Sequence, residues 1–414
     1  MEEKAAETQA NRSTDRFFTP PLIIIYVTVF IDLIGFGMVI PILPFYAESL
    51  NASPFQIGIL FAVYSLMQFL FAPLLGRLSD QYGRRPILFI SILGSAVGYF
   101  VIGFANTLIL VFLGRIIGGI TGANISTAQA YIADVTTREN RARGMGLFGA
   151  MFGLGFIMGP AIAGILSKYG VHVPFYCAAV LSLSNAIALY FVLPESLRPE
   201  LRRARRDGPN RFQQLMDALK ERQFGMINLV YFLLITAFSI MTYAFVLFTA
   251  YRYGFSAEQN GYLFAFVGMV SVIGQGLLFG FLVRRLGEPV LVCIGCSLMS
   301  VSLFAIPFVG PLTGGLAALL GCCTVLSLGN AMASPALTSL ASKITAEDEQ
   351  GSRLGIMQSG ASLARAVGPV IGGVMLNNPF NHIDDSTVNR TFFVASAIMS
   401  VPRSGLYRLL ADES

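Results

Sequence analysis

The chain has 414 residues, of which 55% are hydrophobic and 12% charged, with a formal net charge of +5 at pH 7. Its mean hydropathy of +0.67 excludes a soluble globular protein of average composition, in which about a quarter of the residues are charged. The basic residues are spread over short segments instead of one face, so we expect no nucleic-acid partner. Apolar runs of about twenty residues recur throughout, and each can cross a bilayer core about 30 Å thick. The sequence predicts an all-α membrane protein with many spans.

The apolar runs predict twelve membrane-spanning helices. The first residues of the chain are polar, so nothing resembles a cleavable signal peptide, and the first run can itself direct insertion. We place the spans at residues 20–46, 56–75, 86–105, 108–131, 144–166, 173–193, 224–249, 261–283, 289–310, 314–340, 354–376 and 391–410.

These spans divide the chain into four parts. A cytoplasmic tail (1–19) precedes a first six-helix bundle (20–193), and a cytoplasmic linker (194–223) leads to a second six-helix bundle (224–414). The linker is rich in arginine, which suggests a partner-binding or anionic-lipid site. A solvated connector that follows the charge rule of membrane proteins is the simpler interpretation.

Lysine and arginine alternate from loop to loop, as expected when they collect on the cytoplasmic side. The amino-terminal tail and every second loop carry most of them: Lys4, Arg12, Arg16, Arg77, Arg84, Arg85, Arg138, Arg141, Arg143, Arg284, Arg285, Lys343 and Arg353. The other loops carry Lys168, Arg252 and Arg390. Both termini are therefore predicted to be cytoplasmic, in a plasma or inner membrane.

A dense charged stretch, G-R-L-S-D-Q-Y-G-R-R-P at 76–86, follows the second apolar run. Its glycines allow close backbone approach or a sharp turn. Its aspartate can pair with an arginine or face the N-terminus of another helix, where a negative group is favoured. The stretch predicts a loop that serves as a conformational latch between two rigid bodies, formed by Gly76, Asp80, Gly83, Arg84 and Arg85.

The two halves of the chain repeat one another. L-G-F-I-M-G-P-A-I-A-G at 154–164 aligns with S-L-A-R-A-V-G-P-V-I-G-G at 362–373. The charged stretch aligns with G-F-L-V-R-R-L-G-E-P at 280–289, where Val283 and Arg284 replace Ser79 and Asp80. Two parallel six-span repeats with a binding site between them are one way in which transporters are built. The changed second copy predicts one strong latch and one weak one.

Three ionisable residues fall well inside spans: Asp32, Arg115 and Arg365. Such a residue costs roughly 2.5–3.5 kcal/mol on insertion scales, so each is a functional candidate. Counted along their helices, Asp32 and Arg115 reach depths that agree within about 5 Å, so the two side chains could meet. Separating such a pair would trigger proton uptake by the carboxylate. A permanent structural ion pair is the alternative.

Several motifs resemble one family. L-G-R-I-I-G-G-I-T-G-A at 113–123 looks like its fourth-helix arginine motif, and G-L-G-F-I-M-G-P-A-I-A-G at 153–164 like its fifth-helix antiporter motif. I-D-L-I-G-F-G-M-V-I-P-I-L-P-F-Y-A at 31–47 is similar to the first helix of tetracycline-efflux proteins. The chain thus resembles the drug:proton antiporter branch of the major facilitator superfamily. The resemblance implies two six-helix bundles, proton coupling by Asp32 and Arg115, and an antiporter motif formed by Gly155, Gly159, Pro160 and Gly164.

The sequence departs from the tetracycline exporters in three places. Gly98 stands where they carry an aspartate, and the ninth span contains no carboxylate. These differences argue against tetracycline itself as the substrate. The last span is interrupted by Pro402, Arg403, Ser404 and Gly405, so it is predicted to be short, re-entrant or altered in sequence.

Polar residues on apolar spans are the weaker candidates for a substrate cavity: Gln68, Asn124, Gln275, Asn330, Gln358 and Arg365. Most are expected to form hydrogen bonds between packed helices. Arg365 is the exception, because a buried cation must find a partner and an anionic substrate could provide it.

The leading hypothesis is a secondary active transporter, a proton-coupled exporter of small amphipathic drugs or metabolites by alternating access. A facilitator or symporter for a small metabolite or organic anion is the alternative, and a non-transporting receptor that binds through its linker is a third class. No nucleophile with its base, metal cluster or phosphate loop is evident, so we expect no enzyme activity, cofactor or metal. The expected partners are a small molecule, protons and the bilayer, and the chain is expected to be a monomer.

Overall fold

The computed structural model describes residues 19–197, 220–345, 350–378 and 383–401. Almost all of these residues are helical. The helices are α1 (Pro20–Ser49), α2 (Pro54–Tyr82), α3 (Arg84–Gly103), α4a (Leu108–Ile120), α4b (Asn124–Val135), α5 (Arg138–Ser167), α6 (Val173–Val192), α7 (Arg222–Tyr253), α8a (Ala257–Ile273), α8b (Gly280–Leu286), α9 (Glu288–Ala305), α10 (Gly315–Lys343), α11 (Gln350–Leu376) and α12 (Asp385–Ser400). We write α4 for Leu108–Val135 and α8 for Ala257–Leu286.

Eleven spans of the described chain are long and apolar enough to cross a membrane, and they agree with the first eleven predicted from sequence. The twelfth helix, α12, has 16 described residues. The predicted interruption at Pro402 to Gly405 lies outside the described residues, as does most of the predicted linker.

The repeat is visible in how helices begin. Ser53 precedes α2 and Ser256 precedes α8, and each accepts a hydrogen bond from the amide of the glutamine three residues later. The side chain of that glutamine, Gln56 or Gln259, accepts a bond from the serine amide in return. This reciprocal cap satisfies amides that lack partners within the helix. Equivalent helices of the two halves therefore start on the same local signal.

The charged stretch was predicted to be a loop, and this is wrong for most of its length. Helix α2 continues to Tyr82, and Gly83 alone separates it from α3, with φ +113°. Such a backbone conformation is nearly confined to glycine. Asp80, in the last turn of α2, forms an ion pair at 2.8 Å with Arg84, the first residue of α3, so this pair spans the junction at Gly83. The charged stretch therefore forms a tight junction between two helices instead of a loop.

The fourth span was predicted to be continuous, but it is broken at residues 121–123. The hydroxyl of Thr121 donates to the carbonyl oxygen of Ile117 at 2.9 Å, and the side chain of Gln68 donates to that of Gly122. These side-chain bonds satisfy backbone groups at the break, as irregular backbone within a membrane requires. Discontinuous helices of this kind often mark transport sites.

The two halves contact each other through two equivalent helix pairs, α2 with α11 and α5 with α8. Each pair approaches closely at glycines. A Cβ on Gly58 would lie 3.2 Å from the Cα of Gly373, and one on Gly164 the same distance from the Cα of Gly261. Helix α2 of the first half corresponds to α8 of the second, and α5 corresponds to α11. Exchanging the two halves therefore converts one helix pair into the other, so the architecture has an approximate twofold symmetry.

One end of the molecule is closed and the other is open. We call the end that contains the α2–α3 and α8–α9 junctions the basic end, and the other the opposite end. At the opposite end Lys168 forms an ion pair with Glu258 at 2.9 Å across the halves, and the hydroxyl of Tyr243 donates to the carbonyl oxygen of Pro54. At the basic end a cavity of about 840 Å³ separates α5 from the ends of α10 and α11.

Candidate functional site

The carboxylate of Asp32 lies buried on α1, with 9% of the residue exposed. It accepts a hydrogen bond of 2.5 Å from the side-chain amide of Asn124. Asn124 is the first residue of α4b, so the break in α4 places its amide at the centre of the first half. The partner of Asp32 is therefore a neutral amide, which allows the carboxyl group to change its protonation state without breaking an ion pair.

Further polar side chains are buried in the same half, on the helices that surround Asp32. The amide of Asn185 on α6 donates to the carbonyl oxygen of Thr28 on α1 at 3.1 Å, which joins two of these helices. Four buried polar atoms have no hydrogen-bond partner among the described residues: Ser91 Oγ, Asn124 Oδ1, Thr127 Oγ1 and Ser182 Oγ. Of this polar interior the sequence indicated only Asn124, as a cavity candidate, because isolated serine and threonine residues are common in spans.

Arg115 lies buried on α4a, with 4% of the residue exposed. Its Nε donates to the carbonyl oxygen of Leu60 at 3.1 Å, and its guanidinium lies 4.3 Å from the centre of the Tyr64 ring. The expected contact between Asp32 and Arg115 is therefore wrong for this conformation, since each side chain has other partners. The physical reason is that α1 packs against α5 and α6, whereas α4a packs against α2 and α3.

Tyr64 of α2 packs beside Arg115, whose guanidinium lies 4.3 Å from the centre of the tyrosine ring. The ring also packs 5.8 Å from that of Phe36 on α1. Tyr64 therefore contacts both helices that carry the predicted proton-coupling residues, which sequence reasoning missed because a single tyrosine in a span carries no special pattern.

Arg365 lies on α11 near the middle of its span. Its guanidinium donates to the hydroxyl of Ser362, one turn earlier, at 2.9 Å. Within the part of the chain that the structure describes, no carboxylate forms an ion pair with it. Arg365 is half-buried, so a cation whose hydrogen bond in the described chain goes to a hydroxyl is available to a further ligand.

The remaining cavity candidates have different environments. Gln68 donates to the carbonyl oxygen of Gly122 at 2.9 Å, which is the helix-packing role expected of it. Gln275 and Gln358 are exposed, the former in a π-helical turn (Gly274–Phe279) in the middle of α8. Asn330 on α10 has a buried side-chain oxygen without a partner among the described residues.

The antiporter motif lies on α5, between α1 and α8. A Cβ on Gly155 would lie 2.5 Å from the Cβ of Leu33, the neighbour of Asp32, and one on Gly159 would lie 2.7 Å from the carbonyl oxygen of Ile34. Pro160 contacts the position of Gly37, and Gly164 packs against α8. These residues therefore let one helix pack tightly on both the proton-site helix and the second half.

The structure explains one departure from the tetracycline exporters. A Cβ on Gly98 would lie 2.8 Å from the carbonyl oxygen of Gly114 and 3.2 Å from the amide nitrogen of Gly118. Helices α3 and α4a are too close at this point for any side chain. An aspartate at position 98 would require these helices to move apart.

Two of the predicted latch residues, Asp80 and Arg84, form a buried ion cluster with Asp134 inside the first half. The guanidinium of Arg84 contacts Asp80 at 2.8 Å and Asp134 of α4b at 3.0 Å. The carboxylate of Glu195 accepts bonds from the backbone amides of Arg84 and Arg85 at 2.8 and 3.2 Å, which caps the N-terminus of α3. Asp134 and Glu195 were not singled out from the sequence, although each follows an apolar run directly.

The second copy of the charged stretch is arranged differently. Glu288 begins α9 and forms an ion pair with Lys343, the last residue of α10, at 2.5 Å. Arg284 donates to the carbonyl oxygen of Gly280 at 3.0 Å, and Arg285 lies 4.3 Å from the centre of the Phe281 ring. The arginines of this copy therefore lie outside the ion pair.

Comparison with known proteins agrees with this architecture. The family model described as Major Facilitator Superfamily matches residues 25–369. The chain is 33% identical over 356 residues to the tetracycline resistance protein, class H, of Pasteurella multocida, covering 84% of this chain and 87% of that protein. It is 29% identical over 392 residues to multidrug resistance protein 2 of Bacillus subtilis, covering 92% of each.

Among solved structures, the human organic anion transporter MFSD10 superposes with a TM-score of 0.70 at 24% identity, covering 94% of this chain and 99% of that one. The nucleoside transporter NupG gives a TM-score of 0.73 at 14% identity, covering 94% of this chain and 98% of that one. These two similarities concern the fold. The chain belongs to the major facilitator superfamily and is a multi-pass integral membrane transporter.

Proposed function

We propose that the protein exports small amphipathic molecules in exchange for protons, and that Asp32 is the proton-binding group. The observation that carries this proposal is the pairing of a buried carboxylate with a neutral amide, Asn124, at the break in α4. A carboxylate held by a guanidinium would resist protonation, whereas one held by an amide can accept a proton without leaving a cation unpaired.

The packing of α5 supports a link between this proton and movement of the halves. Helix α5 contacts α1 beside Asp32 through Gly155, and it contacts α8 of the second half through Gly164. A tilt of one half over the other must therefore act on the helix that carries Asp32. Tyr64 packs against Arg115 of α4a and against Phe36 of α1, so it lies between the helices that carry Arg115 and Asp32. In this scheme Arg115 acts on Asp32 through the packing of these helices instead of through a direct ion pair.

We propose that the basic end faces the cytoplasm of a plasma or inner membrane and that both termini lie there. The molecule as described is then open to the cytoplasm and closed to the outside. A single chain supplies both halves of the pathway, which supports a monomer. The cluster around Arg84 is proposed to keep the first half rigid while the basic end closes, so that it acts as a latch.

The relatives named for tetracycline and multidrug resistance support a drug-like, amphipathic substrate. A proton that crosses a potential of 100 mV provides about 2.3 kcal/mol, enough for a substrate gradient of about fifty-fold. We propose that Arg365, Asn330, Gln275 and Gln358 contribute to the substrate path.

The test is transport in inside-out vesicles with a panel of tetracyclines and lipophilic fluorescent cations, with and without a collapsed pH gradient. We expect gradient-driven uptake of at least one compound in the wild type and none in Asp32→Asn. The matched control is Glu48→Gln, which removes an exposed carboxylate from the opposite end of the same helix. It is expected to retain most of the uptake.

Two results would reject the proposal. Unchanged proton coupling in Asp32→Asn would remove Asp32 from its role. Counterflow that proceeds at full rate without any pH gradient, together with no gradient-driven accumulation, would identify a facilitator instead of an antiporter.

A further inference from the structure

Four helices of the first half enclose the polar interior around Asp32. Helix α1 packs against α4b and α6, and α3 packs against the same two helices, so the four form a ring. Each helix carries two buried polar residues three or four positions apart, a spacing that places both on one face. The main contacts between the halves are made by α2, α5, α8 and α11, so this interior lies apart from them.

Hydrogen bonds show that these polar faces turn toward one another. The side-chain amide of Asn124 on α4b donates to Asp32 of α1 at 2.5 Å and lies 3.5 Å from the hydroxyl oxygen of Ser95 on α3. One turn along α1, the carbonyl oxygen of Thr28 accepts a bond of 3.1 Å from Asn185 on α6. All four helices therefore contribute to a single interior.

Three hydroxyl groups and one amide oxygen of this interior lack a hydrogen-bond partner in the part of the chain that the structure describes. They are Ser91 Oγ, Asn124 Oδ1, Thr127 Oγ1 and Ser182 Oγ. Buried hydroxyls elsewhere in the spans, such as those of Ser327 and Thr391, donate to the carbonyl oxygen one turn earlier on their own helix. The three hydroxyls near Asp32 do not bond to their own helices, so their hydrogen-bonding capacity is available to a molecule between the helices.

Water fits these groups better than a cation does. Hydroxyl groups both donate and accept, and an ionised carboxylate accepts several bonds, of which Asn124 supplies one to Asp32. A cation is bound by acceptors alone and would lie against the amide N–H groups that Asn124 directs at Asp32. In native proteins, buried polar atoms are nearly always paired with protein groups or with ordered water.

The surroundings of the interior also suit a held molecule. Alanines at 128 and 186, both buried, stand next to Thr127 and Asn185, so the side chains at this level are small. Toward the basic end, the interior is followed by a buried apolar cluster that includes Ile25, Leu88 and Leu189. A small polar site closed by apolar side chains is the kind that retains water.

We propose that the polar interior holds ordered water that hydrates the carboxylate of Asp32, and that Ser91, Thr127 and Ser182 are the positioning residues that bind this water. The inference rests on the proposed role of Asp32 as the proton-binding group. Hydrogen bonds to the charged form of a carboxylate favour that form. The water therefore lets Asp32 release its proton inside the bilayer without a cationic partner, which Asn124 alone does not supply.

The titratable neighbours of Asp32 on the packed helices are of other types. Tyr99 of α3 lies 3.2 Å from the position of a Cβ on Gly35, and Tyr64 of α2 packs against Phe36. Arg115 of α4a lies beyond Tyr64. Helices α5 and α6 add no titratable group at this level among the described residues. Tyrosines stay neutral and arginine stays charged near neutral pH, so a titration there reports Asp32.

The experiment follows the protonation of Asp32 by infrared difference spectroscopy of the reconstituted protein during a pH titration, with Asp32→Asn to assign its C=O band. Thr127→Val removes a hydroxyl and keeps the shape of the side chain. Since less water then hydrates the carboxylate, we expect the midpoint to move to higher pH by about one unit, a ten-fold higher proton affinity. Transfer to ¹⁸O-labelled water should shift an O–H band of internal water in the wild type, and this band should be weaker in Thr127→Val.

Thr391→Val is the matched control, because the Thr391 hydroxyl is also fully buried but bonds to the carbonyl oxygen of Thr387. Its midpoint and water band should equal those of the wild type. Ser91→Ala and Ser182→Ala are smaller changes that should move the midpoint in the same direction as Thr127→Val. Melting temperatures identify any variant that is unfolded, and the remaining variants then decide the result.

Three results would overturn the proposal. Midpoints that stay at the wild-type value in all folded variants would show that the hydroxyls do not act on Asp32. A shifted midpoint without any ¹⁸O-sensitive band in the wild type would assign the effect to packing instead of water. A wild-type midpoint that depends on the Na⁺ concentration at constant ionic strength would identify a cation as the occupant.

The proposed function fails or stands by a different measurement. Proton-driven uptake that persists in Asp32→Asn would reject the role of Asp32 in transport, whatever the infrared titration shows. Loss of that uptake together with unshifted midpoints would retain the role of Asp32 and reject the water site.

Discussion

The two junctions at the basic end, α2–α3 in the first half and α8–α9 in the second, have the same backbone and opposite charges. Gly83 and Gly287 adopt φ/ψ of +113°/161° and +77°/161°, and each is followed directly by the first residue of the next helix. That residue is Arg84 in one half and Glu288 in the other. Arg84 pairs with Asp134 at the end of α4, and Glu288 pairs with Lys343 at the end of α10.

The comparison teaches that the repeat retains a connection between helices instead of a charge pattern. In each half an ion pair joins the third span of the bundle to the end of the fourth. The pairs differ in their burial. The Arg84 side chain is 6% exposed and has two carboxylate partners, whereas the Lys343 side chain is 63% exposed. We therefore expect the first junction to contribute far more stability than the second.

The strongest test removes the buried cation. Arg84→Gln leaves Asp80 and Asp134 without their guanidinium partner, and breaking a buried ion pair of this kind costs about 3–5 kcal/mol. We expect a large fall in the thermal unfolding temperature of the purified protein in detergent. Arg77→Gln, at an exposed position of the same stretch, should unfold close to the wild type. Equal melting of the two variants would contradict the assigned role of the cluster.

The glycines give the next largest effect and compare the junctions directly. An alanine at either position must adopt a conformation that costs about 1–3 kcal/mol. At position 83 its Cβ would also clash with the Glu195 carboxylate, which caps α3, whereas at position 287 the nearest atom is 3.8 Å away. Gly83→Ala should therefore lower the free energy of unfolding more than Gly287→Ala. The reverse order would show that the glycine is not needed to admit Glu195.

The second junction is tested by exchanging its charges. Glu288→Lys and Lys343→Glu each place like charges together, and an ion pair with one exposed partner is worth about 0–1 kcal/mol. We expect each single variant to unfold slightly earlier and the double exchange to recover the wild-type value. If the double variant is no more stable than the singles, the pair makes no net contribution.

The smallest expected effect concerns an ion pair in the second half whose carboxylate, Glu221, is exposed. A hydrogen bond from Arg353 holds the pKa of Glu221 below its ordinary value of 4.5. A carboxyl group whose pKa is depressed by folding stabilises the protein above the unfolded-state pKa, and this contribution is lost as the pH falls through the folded-state pKa. The difference in melting temperature between the wild type and Glu221→Gln should therefore be present at pH 7 and disappear below pH 4.5. A difference that persists at low pH would have another cause.

Apolar runs, loop charge and glycine motifs were sufficient to predict a twelve-span transporter in two repeated halves, because bilayer thickness and backbone hydrogen bonding leave few alternatives. The same patterns selected Asp32, Arg115 and Arg365, since ionisable residues inside spans are costly. Local pattern could not identify the break in α4, because Gln68, which binds Gly122 there, is distant in sequence.

Tertiary structure decided which groups touch. Asp32 and Arg115 are predicted at similar depths along their helices. Helix packing nevertheless places Asp32 against Asn124, and Arg115 against Leu60 and Tyr64. Helix packing likewise places Asp80 in an ion pair inside the first half, whereas Arg284 lies at the surface of α8. Sequence determines what each span costs to bury and how deep each residue lies, because these depend on one helix at a time. Partners depend on how several helices rotate and pack together, and only the assembled fold fixes that.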